Sequence, residues 1–309
     1  MILRGITIVA CYNPLLAVDF GIDESTGKHR VKILPQRLGG SLSDIKSYRE
    51  RYGDMLLLLP CGHCLGCLKD YRSQWAVRIL LEASLYEHNS FITLTYDEKH
   101  LPKDNKPHKE EIVKFFKRLR KDGVICRYFY CGEKGDKTGR AHYHAIIFGY
   151  DFPDKTLLCR TPSGSLIYES KQLQKLWKFG LSSVGDVDAG SACYVAAYSN
   201  KKKLTRIDDG SFVGMSRMPG LGCDKFNMRW FKSDTIYCAL GASTIPRFFH
   251  KILEGLNPEY YEEWKANRKA RCSKKIGDQY IHGMREEEAY LYNENVALQE
   301  YIRKTRSWI

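Results

Sequence analysis

The chain has 309 residues, 43% of them hydrophobic, and its 49 Lys and Arg against 36 Asp and Glu give a formal net charge of +13. That length suits one large or two modest domains with a substantial core, and the charge favours a polyanionic partner, nucleic acid before acidic membrane. No apolar run approaches the roughly 20 residues that span a bilayer, and the N-terminal apolar stretch is too short for a secretory signal, so an intracellular protein with reduced thiols is expected.

Residues 1–60 hold short apolar runs, Ile6–Ala10, Leu15–Phe20 and Val31–Leu34, broken by Gly, Pro and Asp. They read as a small irregular β element. Cys61, Cys64 and Cys67 follow at a spacing that supplies thiolates to zinc or, less often, to an iron–sulfur cluster, with His63 or Cys11 as fourth ligand. Leu65–Tyr86 is an amphipathic helix carrying Trp75, Ile79 and Leu80. Ser90–Tyr96 is a strand, and Lys109–Lys121 a helix with Ile112, Phe116 and Leu119 on one side. Ile125–Glu133 and Ala141–Phe148 form a hairpin around a polar, glycine-containing turn. Ser170–Trp177 (helix), Leu181–Val187 (strand) and Ser191–Lys203 (helix) complete the order βαββαβα. That order predicts an α+β fold, an antiparallel sheet with helices on one face in a two-layer sandwich. The predicted segments are 1–88, with the cysteine cluster and leading helix; 89–205, the core; and 206–309, a mostly helical, charged extension. No Gly-x-x-x-x-Gly-Lys-Ser/Thr phosphate loop occurs, so no ATP-driven helicase is fused to the core.

The chemistry concentrates in two places. His142 and His144 are separated by one residue on a predicted strand, so their rings project from the same face. Glu133, late on the partner strand, completes a set of two imidazoles and a carboxylate suited to a divalent cation with open positions; Asp136 in the turn is the alternative carboxylate. Tyr194, Tyr198 and Lys201 lie four and three residues apart, one stripe of a helix. A metal that polarises a phosphate and a tyrosine that attacks it together describe a nuclease.

With these residues the chain resembles the HUH endonucleases, in particular the rolling-circle replication initiators of microviruses of the gokushovirus kind. The motifs are Phe91-Ile-Thr93-Leu-Thr95-Tyr96, His142-Tyr143-His144 with Glu133, and Tyr194-x-x-x-Tyr198-x-x-Lys201, and the likeness covers roughly residues 55–225. Tyr143 departs from the aliphatic residue more usual between the histidines. The resemblance implies a ferredoxin-like (RRM-like) HUH core, Mg²⁺ or Mn²⁺ at Glu133, His142 and His144, and Tyr194 and Tyr198 as nucleophiles assisted by Lys201. The product is a covalent 5′-phosphotyrosine that starts and ends rolling-circle replication. It further implies a single-stranded DNA origin as substrate, with Thr93, Thr95, Arg140, Lys202 and Arg217 as DNA contacts. Host helicase and DNA polymerase are the implied partners, in the host cytoplasm without membrane association. Rival readings are a plasmid initiator, relaxase or transposase of the same chemistry. A rival of another class is a non-catalytic, zinc-stabilised nucleic-acid-binding protein whose tyrosines are core.

Overall fold

The computed structural model describes residues 11–35, 45–135, 139–198, 210–279, 288 and 292–300. The chain divides into two compact units, Met1–Asp70 with Lys265–Ile309, and Tyr71–Trp264. In the first unit β1 (Leu15–Asp23), β2 (Lys28–Ile33) and β3 (Leu56–Leu59) form an antiparallel sheet of order β2-β1-β3, and α1 (Ile45–Tyr52) precedes β3. Leu16, Val18, Leu34 and Ile45 make its small apolar core. Helix α2 (Leu65–Ala83) begins after the cysteine-rich turn and continues into the second unit.

The second unit is organised by seven antiparallel strands. Its elements are β4 (Asn89–Tyr96), α3 (Lys109–Lys121), β5 (Arg127–Lys134), β6 (Ala141–Phe148), β7 (Thr156–Arg160), β8 (Leu166–Glu169), α4 (Lys171–Leu176), β9 (Gly180–Gly185), α5 (Ala189–Tyr198) and β10 (Phe212–Met215). The sheet order is β10-β5-β6-β4-β9-β8-β7. Within it the expected βαββαβ elements lie as β5-β6-β4-β9, with β4 and β6 central.

Alternation along the strands assigns the faces. Ile92, Leu94 and Tyr96 of β4 and Tyr143, Ala145 and Ile147 of β6 pack with Ile112, Phe115, Phe116 and Leu119 of α3 and Leu173 and Leu176 of α4. The α3 residues follow the i, i+3, i+4, i+7 stripe that makes a helix bury one side. Ser170 caps α4 by accepting the Leu173 N–H at 3.0 Å, and Trp177 beyond its end donates its indole N–H to the Thr95 carbonyl at 3.1 Å.

The opposite face is also covered. Ala76, Ile79 and Leu80 of α2 and Ala192, Val195 and Ala196 of α5 pack on Phe129, Cys131, Ile146 and Phe148. Helices on one face only is therefore corrected: α3 and α4 take one side, α2 and α5 the other. The physical reason is that β6 is apolar on both sides; the histidines occupy only the first half of a face whose second half, Ile146 and Phe148, must leave water.

Several strands went unforeseen. The β7–β8 hairpin extends one sheet edge. Strand β10 extends the other, placing Phe212 opposite Gly132 and Gly214 opposite Tyr130. A Cβ on Gly132 would lie 2.6 Å from the Phe212 ring, and one on Gly214 2.3 Å from the Tyr130 ring, so each aromatic covers a glycine directly across the ladder. The expected mostly helical 206–309 thus opens with a sheet strand, followed by the short α6 (Trp230–Ser233) and the hairpin β11 (Thr235–Cys238)–β12 (Gly241–Thr244). Helices α7 (Arg247–Leu256) and α8 (Pro258–Gln279) come only then. No helix among the described residues is long and apolar enough to cross a membrane.

Candidate metal and tyrosine site

Register brings the first three residues together. Glu133 of β5 stands directly across from His142 of β6, while Thr95 and Thr93 of β4 stand across from His142 and His144 on the other side. The His142 Nε2 lies 2.9 Å from Glu133 Oε1 and the His144 Nε2 3.4 Å from the same oxygen. The two imidazoles are nearly perpendicular, ring centroids 4.8 Å apart, and the three ligand atoms lie within 4.8 Å of one another. Asp136 lies outside the described residues.

The far nitrogens set the orientation. His142 Nδ1 is 3.0 Å from the Arg140 carbonyl, which only accepts, so Nδ1 carries the proton and Nε2 turns its lone pair toward Glu133. A carboxylate and an imidazole lone pair at 2.9 Å need a cation between them, either a second proton on His142 or a metal ion. The donor set therefore fits a divalent metal. His144 Nδ1 is 3.0 Å from the Thr93 hydroxyl, the outer partner that fixes a ligating imidazole.

Burial acts on each group. It works to raise the Glu133 carboxyl, but hydrogen bonds from His142 and His144 and the charge of His142 outweigh it and hold the group at about 2. Burial lowers the His144 pKa, keeping that ring neutral and able to ligate. Burial, reinforced by Tyr194 and by the Glu133 charge, raises the Tyr198 phenol far above its ordinary value.

Helix α5 delivers the tyrosines. The Asp188 carboxylate accepts the Ser191 N–H at 2.7 Å while the Ser191 hydroxyl accepts the Asp188 N–H at 2.8 Å, a reciprocal box that fixes where the helix begins. One turn on, the Tyr194 hydroxyl reaches to 3.3 Å from His144 Nε2. The Tyr198 ring stacks against His144 at 5.9 Å, and the two tyrosine rings stand 5.1 Å apart. Phe91, from the same face of β4, stacks on His144 at 5.6 Å. Tyr194 is 42% exposed, so its phenol is open to a substrate.

The remaining site residues divide. Thr93 touches His144 rather than standing free for DNA. Thr95 lines an open groove of about 640 Å³ with Leu158, Ile167, Leu181 and Ser183, on the side of β7–β9. The Arg140 guanidinium holds the Tyr96 carbonyl and Glu98, both at 3.0 Å, which ties the β5–β6 turn to the end of β4. Arg217 is exposed beyond β10. Lys201 and Lys202 lie outside the described residues. Sequence reasoning missed the roles of Phe91 and of the Arg140 carbonyl; the signal for Phe91 was its parity with Thr93 on β4.

Residues 89–203, which include every member of this site, match a family model described as replication-associated protein ORF2. The replication-associated protein ORF4 of Chlamydia phage 1 is 33% identical over 248 residues, 72% of this chain and 62% of its own length. The chain belongs to the phage replication-associated proteins. Two further replication-associated proteins are similar to it, ORF2 of Spiroplasma virus 4 (26% over 272 residues, 80% of this chain and 84% of its own) and VP4 of Bdellovibrio phage phiMH2K (28% over 236 residues, 71% and 74%). The chain thus spans less than two thirds of the Chlamydia phage protein and more of the other two. No solved structure matches it.

This replication-associated protein carries a second cluster of ligand type. The sulfurs of Cys11, Cys61, Cys64 and Cys67 lie within 4.8 Å of one another and can hold a metal ion. The fourth member is Cys11; His63 contributes only its backbone N–H, 3.4 Å from the Cys61 sulfur.

Proposed function

We propose that this replication-associated protein nicks and rejoins single-stranded DNA at a replication origin through a tyrosine nucleophile, the chemistry of an HUH endonuclease. The observation that carries the reading is the Tyr194 hydroxyl 3.3 Å from the nitrogen that His144 shares with the Glu133–His142 cluster. The β5-β6-β4-β9 order, with α3 and α4 on one face, supports the ferredoxin-like core that such nucleases use. The names of the three phage relatives support a role in replication.

Glu133, His142 and His144 would hold Mg²⁺ or Mn²⁺, which when bound supplies positive charge to the scissile phosphate. The chain's own residues do the rest. Thr93 and the Arg140 carbonyl lock the imidazoles, and Phe91 walls the site. The oxygen of Tyr194 or Tyr198 attacks phosphorus; the bond to the 3′ oxygen breaks, and that oxygen leaves with a proton as a 3′-hydroxyl. The phosphate stays joined to tyrosine, so the bond is conserved and a 3′-hydroxyl can later reverse the step without ATP. A free phenol with pKa near ~10 is ionised to about one part in a thousand at neutral pH, and Lys201 is the residue assigned to favour the phenolate. Two phenols allow one to cut while the other still carries an end, which suits repeated rounds of rolling-circle synthesis. The net charge of +13 suits the phosphate backbone.

The test uses 3′-labelled single strands tiling the genome that encodes the chain, incubated with the protein and Mn²⁺ or Mg²⁺. Transfer of label to the protein band on a denaturing gel is expected. A purified, folded protein that transfers no label from any tile overturns the proposal.

A further inference from the structure

We infer that Cys11, Cys61, Cys64 and Cys67 form a tetrathiolate site for one structural zinc ion. The nearest sulfur pairs, Cys61–Cys67 and Cys11–Cys64, are both 3.9 Å apart. That is nearly twice a disulfide bond of about 2.0 Å, and close to the edge of about 3.8 Å that a tetrahedron with Zn–S near 2.3 Å requires. Four sulfurs converging within 4.8 Å enclose a single ion and leave no room for a polynuclear iron–sulfur cluster.

Backbone N–H groups are aimed at the sulfurs. His63 and Cys64 point theirs at Cys61 at 3.4 and 3.3 Å, Tyr12 and Cys67 at Cys64 at 3.2 and 3.5 Å, and Cys61 at Cys11 at 3.2 Å. Such donors stabilise thiolate over thiol. Gly62 sits at φ +78°, the left-handed turn that lets the backbone of 61–64 wrap around the Cys61 sulfur. Cys64 also supplies the carbonyl that accepts the first N–H of α2, from Leu68, so Cys64 and Cys67 stand at a helix N-terminus, where negative charge is favoured. Each thiol that ligates releases its proton to solvent.

The place of the site says what it does. Leu15 of β1 pairs with Leu59 of β3, and Cys11 and Cys61 lie just beyond that pair. The ion would close the open end of the β1–β3 ladder and fasten it to the start of α2. Four protein ligands leave no position for a substrate, so the ion is a cross-link and takes no part in the reaction. A thiolate-only set selects zinc over Mg²⁺ or Mn²⁺, so this ion and that of the Glu133–His142–His144 site are chemically sorted.

The experiment is metal analysis by mass spectrometry on the purified full chain after an EDTA wash and desalting. About one zinc per chain is expected, released by an organomercurial that titrates thiolates. His142→Ala should retain it, whatever the outcome of the nicking assay. Cys61→Ser with Cys67→Ser should lose it, whereas Cys159→Ser, at an exposed thiol outside the cluster, should keep it. Protein produced with cobalt should show the near-ultraviolet charge-transfer band of thiolate ligands. Should the double variant fail to fold, the wild-type zinc content and the cobalt spectrum decide alone. Wild-type chain without zinc, with iron in its place, or with zinc that the organomercurial does not release overturns the assignment.

Discussion

Replacing the hydroxyl between the two histidines tests the assignment of faces. Tyr143 points away from His142 and His144, into the core beneath α3. Its hydroxyl accepts the His108 N–H at 2.9 Å, donates to the His108 carbonyl at 2.9 Å and lies 2.7 Å from the Tyr96 hydroxyl. Burial raises the phenol pKa far above its ordinary value, so the group is a neutral hydrogen-bond hub. Tyr143→Phe keeps the ring but leaves the His108 N–H and the Tyr96 hydroxyl without this partner; the His108 carbonyl still accepts from Glu111. At about 1 kcal/mol net per bond, and somewhat more for each orphaned donor, the cost is about 2–4 kcal/mol. At roughly 2–4 °C per kcal/mol for a chain of this size, the midpoint should fall by about 5–15 °C. Unfolding followed by circular dichroism and by tryptophan fluorescence reads it, since the Trp177 ring is 5.5 Å from that of Tyr143. Tyr96→Phe should cost about 1 kcal/mol, and the double variant should cost little more than Tyr143→Phe alone, because both break the same bond. Adduct formation at a temperature where the variant is folded should stay near wild type. A loss of stability below about 0.5 kcal/mol, within the range of ordinary surface substitutions, would refute the hub, and loss of cleavage in a folded variant would refute the assignment of faces.

Three other outcomes follow from the site. His142→Ala or His144→Ala should abolish label transfer while largely preserving DNA affinity in a gel-shift assay, because affinity rests on phosphate neutralisation elsewhere; cleavage near the wild-type rate would remove the histidines from the metal site. Tyr194→Phe and Tyr198→Phe should each stay folded, with at least one still forming an adduct, while the double variant forms none and each single variant fails at the full cycle of cutting, transfer and closure; an adduct in the double variant would place the nucleophile elsewhere. Thr93→Val removes the outer partner of His144 and should weaken the metal dependence of adduct formation by about 10–100-fold, with Thr93→Ser restoring it; an unchanged Mn²⁺ titration would show that the Thr93 hydroxyl does not position the ring.

The sequence carried the centre of this molecule better than its rim. Strand β6 and helix α3 have the limits that their periodicities predict, because both bury long, regular apolar stripes. The site was legible for the same reason: parity on a strand and spacing on a helix decide which side chains share a face, and Glu133, His142, His144, Tyr194 and Tyr198 all follow those rules. The β7 strand was not legible, since its residues Thr156–Arg160 are all exposed and show no inside–outside alternation. Nor was β10, which packs two aromatics over two glycines. Residues 11 and 61 meet through pairing of β1 with β3, so a fourth cysteine distant in the chain could be suspected from composition, but only the ladder chooses it over His63.

Strand β6 is hydrogen-bonded on both sides, through eight residue pairs to β5 and seven to β4. A slip of one residue would turn Tyr143 into the site and drive both imidazoles into the aromatic core, so the histidine pair behaves as a fixed anvil. Helix α5 is a different kind of part, held at its start by the Asp188–Ser191 box and resting on Ala192, Val195 and Ala196, which raise only low ridges against the sheet. Phenols four residues apart differ by about 40° around a helix axis and about 6 Å along it. Exchange of one tyrosine for the other at a single phosphate is therefore a small screw motion of α5 over an immobile strand, and bulkier side chains at Ala192 or Ala196 are where that motion can be jammed without touching a reacting atom.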